Sequence, residues 1–373
     1  MLKVVHIIVG LESGGAENML RRLTLAGRRS MDCTVISLTS LGPVGQALRE
    51  EGVRVETMNL ASWAQLPRVL LRLARMLRVL QPHAIQTWMY HADFVGGLAA
   101  RMARCGNIVW GLRSSAIPQN FPAPTWWLVR LNALLSHLVP HRIVCCADSA
   151  LQAHAALGFA RRKMVVIPNG FDFTGFEPSP LERERIRQRL GWSAQTPVVG
   201  TVSRFDPLKD LPNFLDAAVR VKARVPGVRF LLVGRGLDDS NSELRRCIEQ
   251  AGLAGEVSLV GEQRNVTAYL SAMDVFCLSS RSEGFPNVVV EAMAMDLPCV
   301  VTAAGDAAAI VGDTGTVVPV QDASALAQAM GDTLALPQDR RDALGHAAGR
   351  GVRERYGIDV ALSRYLEQYR AHA

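Results

Sequence analysis

The chain has 373 residues, 49% hydrophobic and 20% charged, with a mean hydropathy of +0.13; this excludes disorder, and the length exceeds what one core usually supports. The net charge of +7 is uneven: residues 1–172 carry 19 Lys and Arg against 9 Asp and Glu, a net +10, and the rest carry 22 against 25, a net −3. A basic half without helix-turn-helix, RNP or zinc-finger spacing speaks for an anionic surface or substrate and against nucleic acid.

From the N-terminus, Met1-Leu2-Lys3 and Val4 to Val9 imitate a short signal peptide, but no small-residue cleavage site follows and Glu12 interrupts the run. The segment reads as a first strand, with a cytoplasmic protein as the expectation. No apolar run approaches the roughly 20 residues of a membrane span. Short β-branched runs then alternate with longer helical patterns at Lys3 to Val9, Cys33 to Leu38, Val53 to Met58, Ala84 to Trp88, Ile108 to Leu112, Ile143 to Ala147 and Val165 to Ile167. Repeated βα units imply a parallel sheet. Pro168 to Pro180, rich in Pro, Gly and aromatics, separates these from a second series at Val198 to Val202, Arg229 to Gly234, Val257 to Val260, Val275 to Leu278, Cys299 to Val301 and Thr316 to Val318. The expected domains are 1–172 and 173–355, each Rossmann-like, with 356–373 a closing helix that packs back on the first. Seven cysteines, with no C-x-x-C pair and no histidine at zinc spacing, read as reduced core residues.

In open parallel sheets, ligands bind beyond the carboxyl ends of the strands, so the residues following each strand carry the functional information. The first strand runs into Gly10-Leu11-Glu12-Ser13-Gly14-Gly15-Ala16-Glu17, a turn opening a helix whose free N–H groups favour an anion. It is neither a G-x-G-x-x-G, for Glu12 stands where glycine is needed, nor a P-loop, for Ala16 stands where lysine is needed. A tight turn without ligand is the alternative. Arg204 follows the strand at Val198 to Val202, and Lys209 precedes the next helix; a guanidinium fork and a point charge suit a diphosphate, or belong to an ordinary solvated loop. In Ser282 to Met295, Glu283 lies in a Gly/Pro loop and Glu291 in an apolar helical run, where a carboxylate needs a partner. There is no D-x-D in the chain, and Pro140 between His137 and His141 argues against a helical metal site.

Gly14-Gly15-Ala16-Glu17, Asn169-Gly170-Phe171-Asp172, Arg204 with Lys209 and the E-x7-E of Glu283 and Glu291, in this order and each at a strand end, resemble the retaining glycosyltransferases of family 4. The resemblance implies the GT-B fold, two Rossmann-like parallel-sheet α/β domains facing a cleft, the first binding the acceptor and the second the nucleotide-sugar donor. It implies that Gly14 and Gly15 approach the donor phosphates, that Arg204 and Lys209 bind the diphosphate, and that Glu283 with Phe285, Pro286 and Asn287 holds the donor sugar. Glu291 takes the ribose hydroxyls, Val288 and Arg264 complete the donor site, and His91, after the fourth strand, lies beside the sugar. The implied reaction is a front-side, retaining transfer of a hexosyl or N-acetylhexosaminyl group, needing no cofactor and no metal, in which His91, Arg204, Lys209 and Glu283 act as the catalytic set. UDP is the default nucleotide and GDP the alternative; the acceptor is a glycan or lipid-linked hydroxyl of bacterial surface polysaccharide or lipopolysaccharide synthesis. A sugar-nucleotide epimerase or hydrolase on the same fold is the rival enzyme.

An anionic membrane surface is a further expected partner of the first domain. Arg68, Arg72, Arg75 and Arg78 form a basic stripe on a helix over Leu66 to Leu80, and Leu70, Leu73, Leu77 and Leu80 give it an apolar side. Trp126 and Trp127, in Pro124 to Arg130, add side chains enriched at headgroup level.

Overall fold

The structure is a computed structural model and describes residues 1–114 and 123–371. The chain divides into two compact units, Met1–Asp172 with Tyr356–Ala373, and Phe173–Arg355.

The first unit holds seven parallel strands: β1 Leu2–Ile8, β2 Met31–Ser37, β3 Arg54–Thr57, β4 Ala84–Trp88, β5 Ile108–Leu112, β6 Arg142–Cys145 and β7 Met164–Val166. Their order is β3-β2-β1-β4-β5-β6-β7. β4 and β5 are buried along their whole length and β1 from Val4 onward, polar His6, Gln86 and Thr87 included, the pattern expected of the centre of a parallel sheet covered on both faces. The final helix, Ile358–Arg370, belongs to this unit: Tyr365 and Tyr369 are fully buried beside Val4, Ile8 and Trp88. Tyr369 satisfies its hydroxyl by donating to Gln86 Oε1 at 3.2 Å, and its carbonyl accepts from Asn107 Nδ2 at 2.7 Å. The helix begins two residues later than the expected start at 356, since Tyr356 ends the preceding helix and its carbonyl accepts from Phe171 N at 2.8 Å.

The second unit holds β8 Val198–Val202, β9 Arg229–Val233, β10 Val257–Leu259, β11 Val275–Leu278, β12 Cys299–Thr302 and β13 Thr316–Val318, all parallel, in the order β10-β9-β8-β11-β12-β13. Arg187, 2% exposed, anchors the opening helix Pro180–Arg189 by donating to Asp274 Oδ2 at 2.9 Å and to four carbonyls, those of Ala272, Ser193, Ala194 and Thr196. Cys145, Cys146, Cys277 and Cys299 are buried, and burial pushes the thiols of Cys145, Cys277 and Cys299 up. Among the described residues no helix is long and apolar enough to cross a membrane.

The helix Leu66–Leu80 forms with the predicted bounds, and Arg68, Arg72, Arg75 and Arg78 are exposed. Its apolar side is a correction to the lipid-facing expectation. Leu73 and Leu77 are fully buried and Leu70 and Leu80 half-buried, so those leucines face protein rather than solvent. Trp126 is half-buried under the Arg130 guanidinium, whereas Trp127 is 71% exposed.

Candidate active site

Both sheets reverse their strand order once, between β1 and β4 in the first unit and between β8 and β11 in the second. A reversal opens a crevice at the strands' carboxyl ends, because the two outgoing chains turn to opposite faces of the sheet.

At the second reversal, the chain leaving β8 makes a single turn at Pro207–Lys209, capped by Asp206, whose Oδ1 accepts from Leu208 N at 2.9 Å. Asp210 then takes a left-handed conformation, φ +50°. Its carboxylate, 2% exposed, accepts from Arg281 Nη2 at 2.8 Å, which ties the β8 loop to the loop following β11. Two further bonds close the seam: Ser279 Oγ donates to Lys209 O and Arg281 N to Leu208 O, both at 2.8 Å. The seam fixes Lys209, whose ammonium donates to Glu283 Oε1 at 2.6 Å. The same oxygen accepts from Ser280 Oγ at 2.6 Å. At 18% and 10% exposure the two side chains are largely withdrawn from water, where a charge-assisted bond gains strength. Arg204 differs. It is 61% exposed and rests on Asp206 through Nε at 2.9 Å and Nη2 at 2.8 Å, a surface pair of about 0–1 kcal/mol that an arriving anion can displace.

The Glu283 loop is held from beneath by the end of β12 and the residues after it. Thr302 Oγ1 donates to Ser280 O at 2.6 Å and Asp306 N to Gly284 O at 3.0 Å. Gly305, at φ +56°, lies so close that a Cβ there would stand 2.2 Å from Glu283 O. Phe285 and Pro286 are buried and lead into the helix Asn287–Ala294, where Asn287, Val288 and Glu291 are half-buried among buried Val289, Val290, Ala292 and Met293. Arg264 is exposed on the loop after β10, the edge strand two positions from β8, and is thus the predicted residue set furthest from this seam in strand order. Asp210, Ser280, Arg281, Thr302 and Gly305 escaped the sequence reading. The usable signal was positional, since each ends or follows a strand of the central four.

At the first reversal, Gly14 caps the helix Gly15–Ala26 in an extended conformation, and a Cβ at Gly14 would meet Glu17 Oε2 at 2.4 Å. Burial raises the Glu17 carboxyl above its ordinary value. On the other strand, Met89 at φ +74° turns the chain from β4 into the helix Tyr90–Met102, placing His91 on its first turn. His91 faces the Trp63 ring with centroids 5.7 Å apart, and burial lowers its pKa, so the imidazole is neutral at pH 7. Both border a cavity of about 150 Å³ with Val9, Leu38, Leu60 and Val95. Beneath them Asp93, fully buried, accepts from Thr87 Oγ1 at 2.5 Å and Gly111 N at 3.3 Å; burial raises its carboxyl to about 8. Among the described residues, no group of three or more His, Cys, Asp or Glu is placed to hold a metal ion.

Comparison with known proteins covers both units. The family described as "Glycosyltransferase Family 4" matches residues 13–174, and "Glycosyl transferases group 1" matches residues 196–335. EpsF of Bacillus subtilis strain 168 is 26% identical over 318 residues, 80% of this chain and 79% of that protein. The lipopolysaccharide core biosynthesis mannosyltransferase LpsB of Rhizobium meliloti is 29% identical over 194 residues, 50% of this chain and 54% of LpsB. Among solved structures, Anabaena HepE in complex with UDP and glucose superposes with a TM-score of 0.85 at 24% identity, covering 98% of this chain and 99% of HepE. Sucrose-phosphate synthase of Thermosynechococcus elongatus superposes at 0.78 with 20% identity, covering 99% and 98%.

Proposed function

We propose that this chain, which belongs to the family 4 glycosyltransferases and has their GT-B fold, moves a hexosyl or N-acetylhexosaminyl group from a UDP-sugar, with retention and without a metal, to a hydroxyl of a glycan or lipid-linked acceptor. The observation that carries the reading is the Lys209–Glu283 pair at 2.6 Å with the displaceable Arg204 on the adjoining loop. Two cations there meet the charge that develops on a departing nucleoside diphosphate, the work a divalent metal does elsewhere. Glu283, fixed by Ser280 and Lys209, accepts from donor sugar hydroxyls; Glu291 accepts from the ribose. Gly14, Gly15 and Arg264 serve the donor phosphates and nucleotide. His91, uncharged, offers a hydrogen bond to the sugar without repelling a developing oxocarbenium charge. The acceptor hydroxyl attacks from the face the diphosphate leaves, and a leaving phosphate oxygen takes its proton; the protein's part is positioning and neutralisation. The UDP and UDP-glucose held in HepE structures support a uridine donor. Relatives named for lipopolysaccharide core biosynthesis, LpsB and LpsE, support a lipopolysaccharide or surface-polysaccharide product.

The test is nucleotide release from a panel of UDP- and GDP-sugars, with and without acceptor lipids, in excess EDTA, with the product anomer read by NMR. Acceptor-dependent UDP release that survives EDTA and keeps the donor's anomeric configuration is the expected result. Rapid release without acceptor would point instead to an epimerase or hydrolase, and activity restored to EDTA-treated enzyme only by magnesium or manganese would overturn metal independence.

A further inference from the structure

The helix Ala123–Leu135 is apolar on its outer as well as its inner side, unlike an ordinary sheet-flanking helix. Its inner side buries Val129, Asn132 and Ala133, and Asn132 Nδ2 donates to Tyr90 O at 2.8 Å. Its outer side carries Trp127, Leu131 and Leu134, and Leu138 extends the line into the following turn; they are 71, 40, 72 and 72% exposed. The spacing of four, three and four residues puts them in one stripe. Scattered surface leucines are ordinary, but a continuous ridge of large apolar side chains marks an interaction surface.

The border of the ridge is cationic. Lys163 Nζ donates to Ser136 O, His137 O and Pro140 O at 2.7–3.0 Å, placing an ammonium at the end of the stripe. Its pKa is lowered by desolvation and by the charges of Arg162 and Arg101, so the three cations cluster. Arg101 Nη2 donates to Val139 O at 2.8 Å, and Arg78 Nη2 to Met102 O at 2.7 Å, with Met102 itself 39% exposed. From residue 57 to 147 the sequence has nine arginines and one acidic residue, Asp93, which is fully buried.

We infer that this ridge is the surface by which the first unit lies on an anionic phospholipid bilayer, the helix in the membrane plane, Trp127 and the leucines below headgroup level and, among the phosphates, Arg101, Lys163 and the exposed Arg161 and Arg162 of the same turn as Lys163. This rests on the lipid-linked acceptor proposed above and gives it a location. A second copy of the chain is the poorer occupant, because a two-fold contact along the ridge sets each cationic border against like charge.

Co-sedimentation of the full-length protein with vesicles of phosphatidylcholine alone and of phosphatidylcholine mixed equally with phosphatidylglycerol tests it. Wild type is expected to bind the anionic vesicles at least ~10-fold more tightly. Trp127→Ser/Leu134→Ser/Leu138→Ser is expected to lose at least ~10-fold of that binding with Tm unchanged, since the side chains are already in water. Arg161→Glu/Arg162→Glu should lose the preference for anionic lipid. The inference is overturned if wild type ignores both vesicles, if the triple variant binds as wild type does, or if size exclusion shows a dimer that the triple variant dissolves. Transfer to a soluble acceptor without vesicle binding would defeat the docking alone; vesicle binding without any transfer would defeat the functional reading alone.

Discussion

Gly305→Ala isolates the support beneath Glu283. Gly305 has φ +56°, and an added Cβ would stand 2.2 Å from Glu283 O and 2.6 Å from Gly284 O, against a working limit of 3.0 Å. The peptide after Glu283 must therefore retreat by about 0.8 Å, since both obstacles are backbone. Misplacement of about 1 Å in a positioned group costs on the order of 100-fold in rate. The left-handed conformation adds strain of about 1–2 kcal/mol for any L side chain. Gly252 is the control, at φ +65° with nothing within 4 Å of its virtual Cβ. Gly252→Ala carries the strain without the displacement. Strain of that size should lower Tm by about 2–8 °C in both variants, while kcat/KM for the donor sugar should fall ~100-fold in Gly305→Ala only. Differential scanning fluorimetry and steady-state kinetics at saturating acceptor read the two quantities. If Gly305→Ala keeps kcat/KM within about threefold of Gly252→Ala, the Glu283 loop does not position the donor and the reasoning fails.

Arg204→Ala and Lys209→Met should each cut kcat/KM by at least ~100-fold, roughly 2.7 kcal/mol of transition-state stabilisation; a smaller loss from Lys209→Met would detach the Glu283 pair from diphosphate departure. Glu291→Gln should weaken binding of free UDP in calorimetry, whereas Glu283→Gln should leave UDP affinity near wild type and impair transfer; equal effects on UDP affinity would contradict the division of roles. For pH, Asp93 titrates at about 8 folded against 3.8 for its ordinary value, so the folded state binds the extra proton between them and stability falls as pH rises through that range. His6, His91 and His154 are lowered by burial from 6.5, so their contribution is lost only as pH falls below 6.5. Between pH 6.5 and 8 the Asp93 effect stands alone. Tm should decline across that interval, and Asp93→Asn should flatten the decline; an unchanged slope in the variant would show the carboxyl to be ionised already.

The strands were the legible part of the fold. β4, β5, β8 and β11 begin and end where their runs in the sequence do, because a strand buried along its whole length is confined to side chains that fit a core; β13 keeps its run although its first two residues are exposed. The helices were legible as periodicities but not as orientations. Arg68, Arg72, Arg75 and Arg78 and their interleaved leucines specify two faces of a helix, yet the spacing is the same whether the leucines meet a sheet or a bilayer. Only the neighbours decide, and they bury Leu73 and Leu77. In the helix Ala123–Leu135 the inward contacts use Val129, Asn132 and Ala133, which leaves its larger apolar residues outside. Residues that small on the inner side are the sequence trace of the reversal.

The site divides along a similar line. His91 was named only through the family resemblance, but Arg204, Lys209 and Glu283 could be nominated because each follows a strand, and strand ends are where a parallel sheet exposes chemistry. Their partners could not. Lys209 and Glu283 are 74 residues apart, and what joins them is the adjacency of β8 and β11, a fact of strand order that periodicity does not carry. Once that adjacency is known, the supporting residues follow as consequences. Asp210 turns left-handed because its carboxylate must meet Arg281, and a short side chain that bonds locally tolerates φ +50° better than a branched one. Gly305 is glycine because the peptide of Glu283 occupies the space a Cβ needs. The loop is thus held by two backbone conformations and one buried ion contact before any ligand arrives. On the proposed reading, Glu283 meets the donor with its orientation already fixed, and the binding energy of the diphosphate goes to displacing Asp206 from Arg204 rather than to ordering the loop.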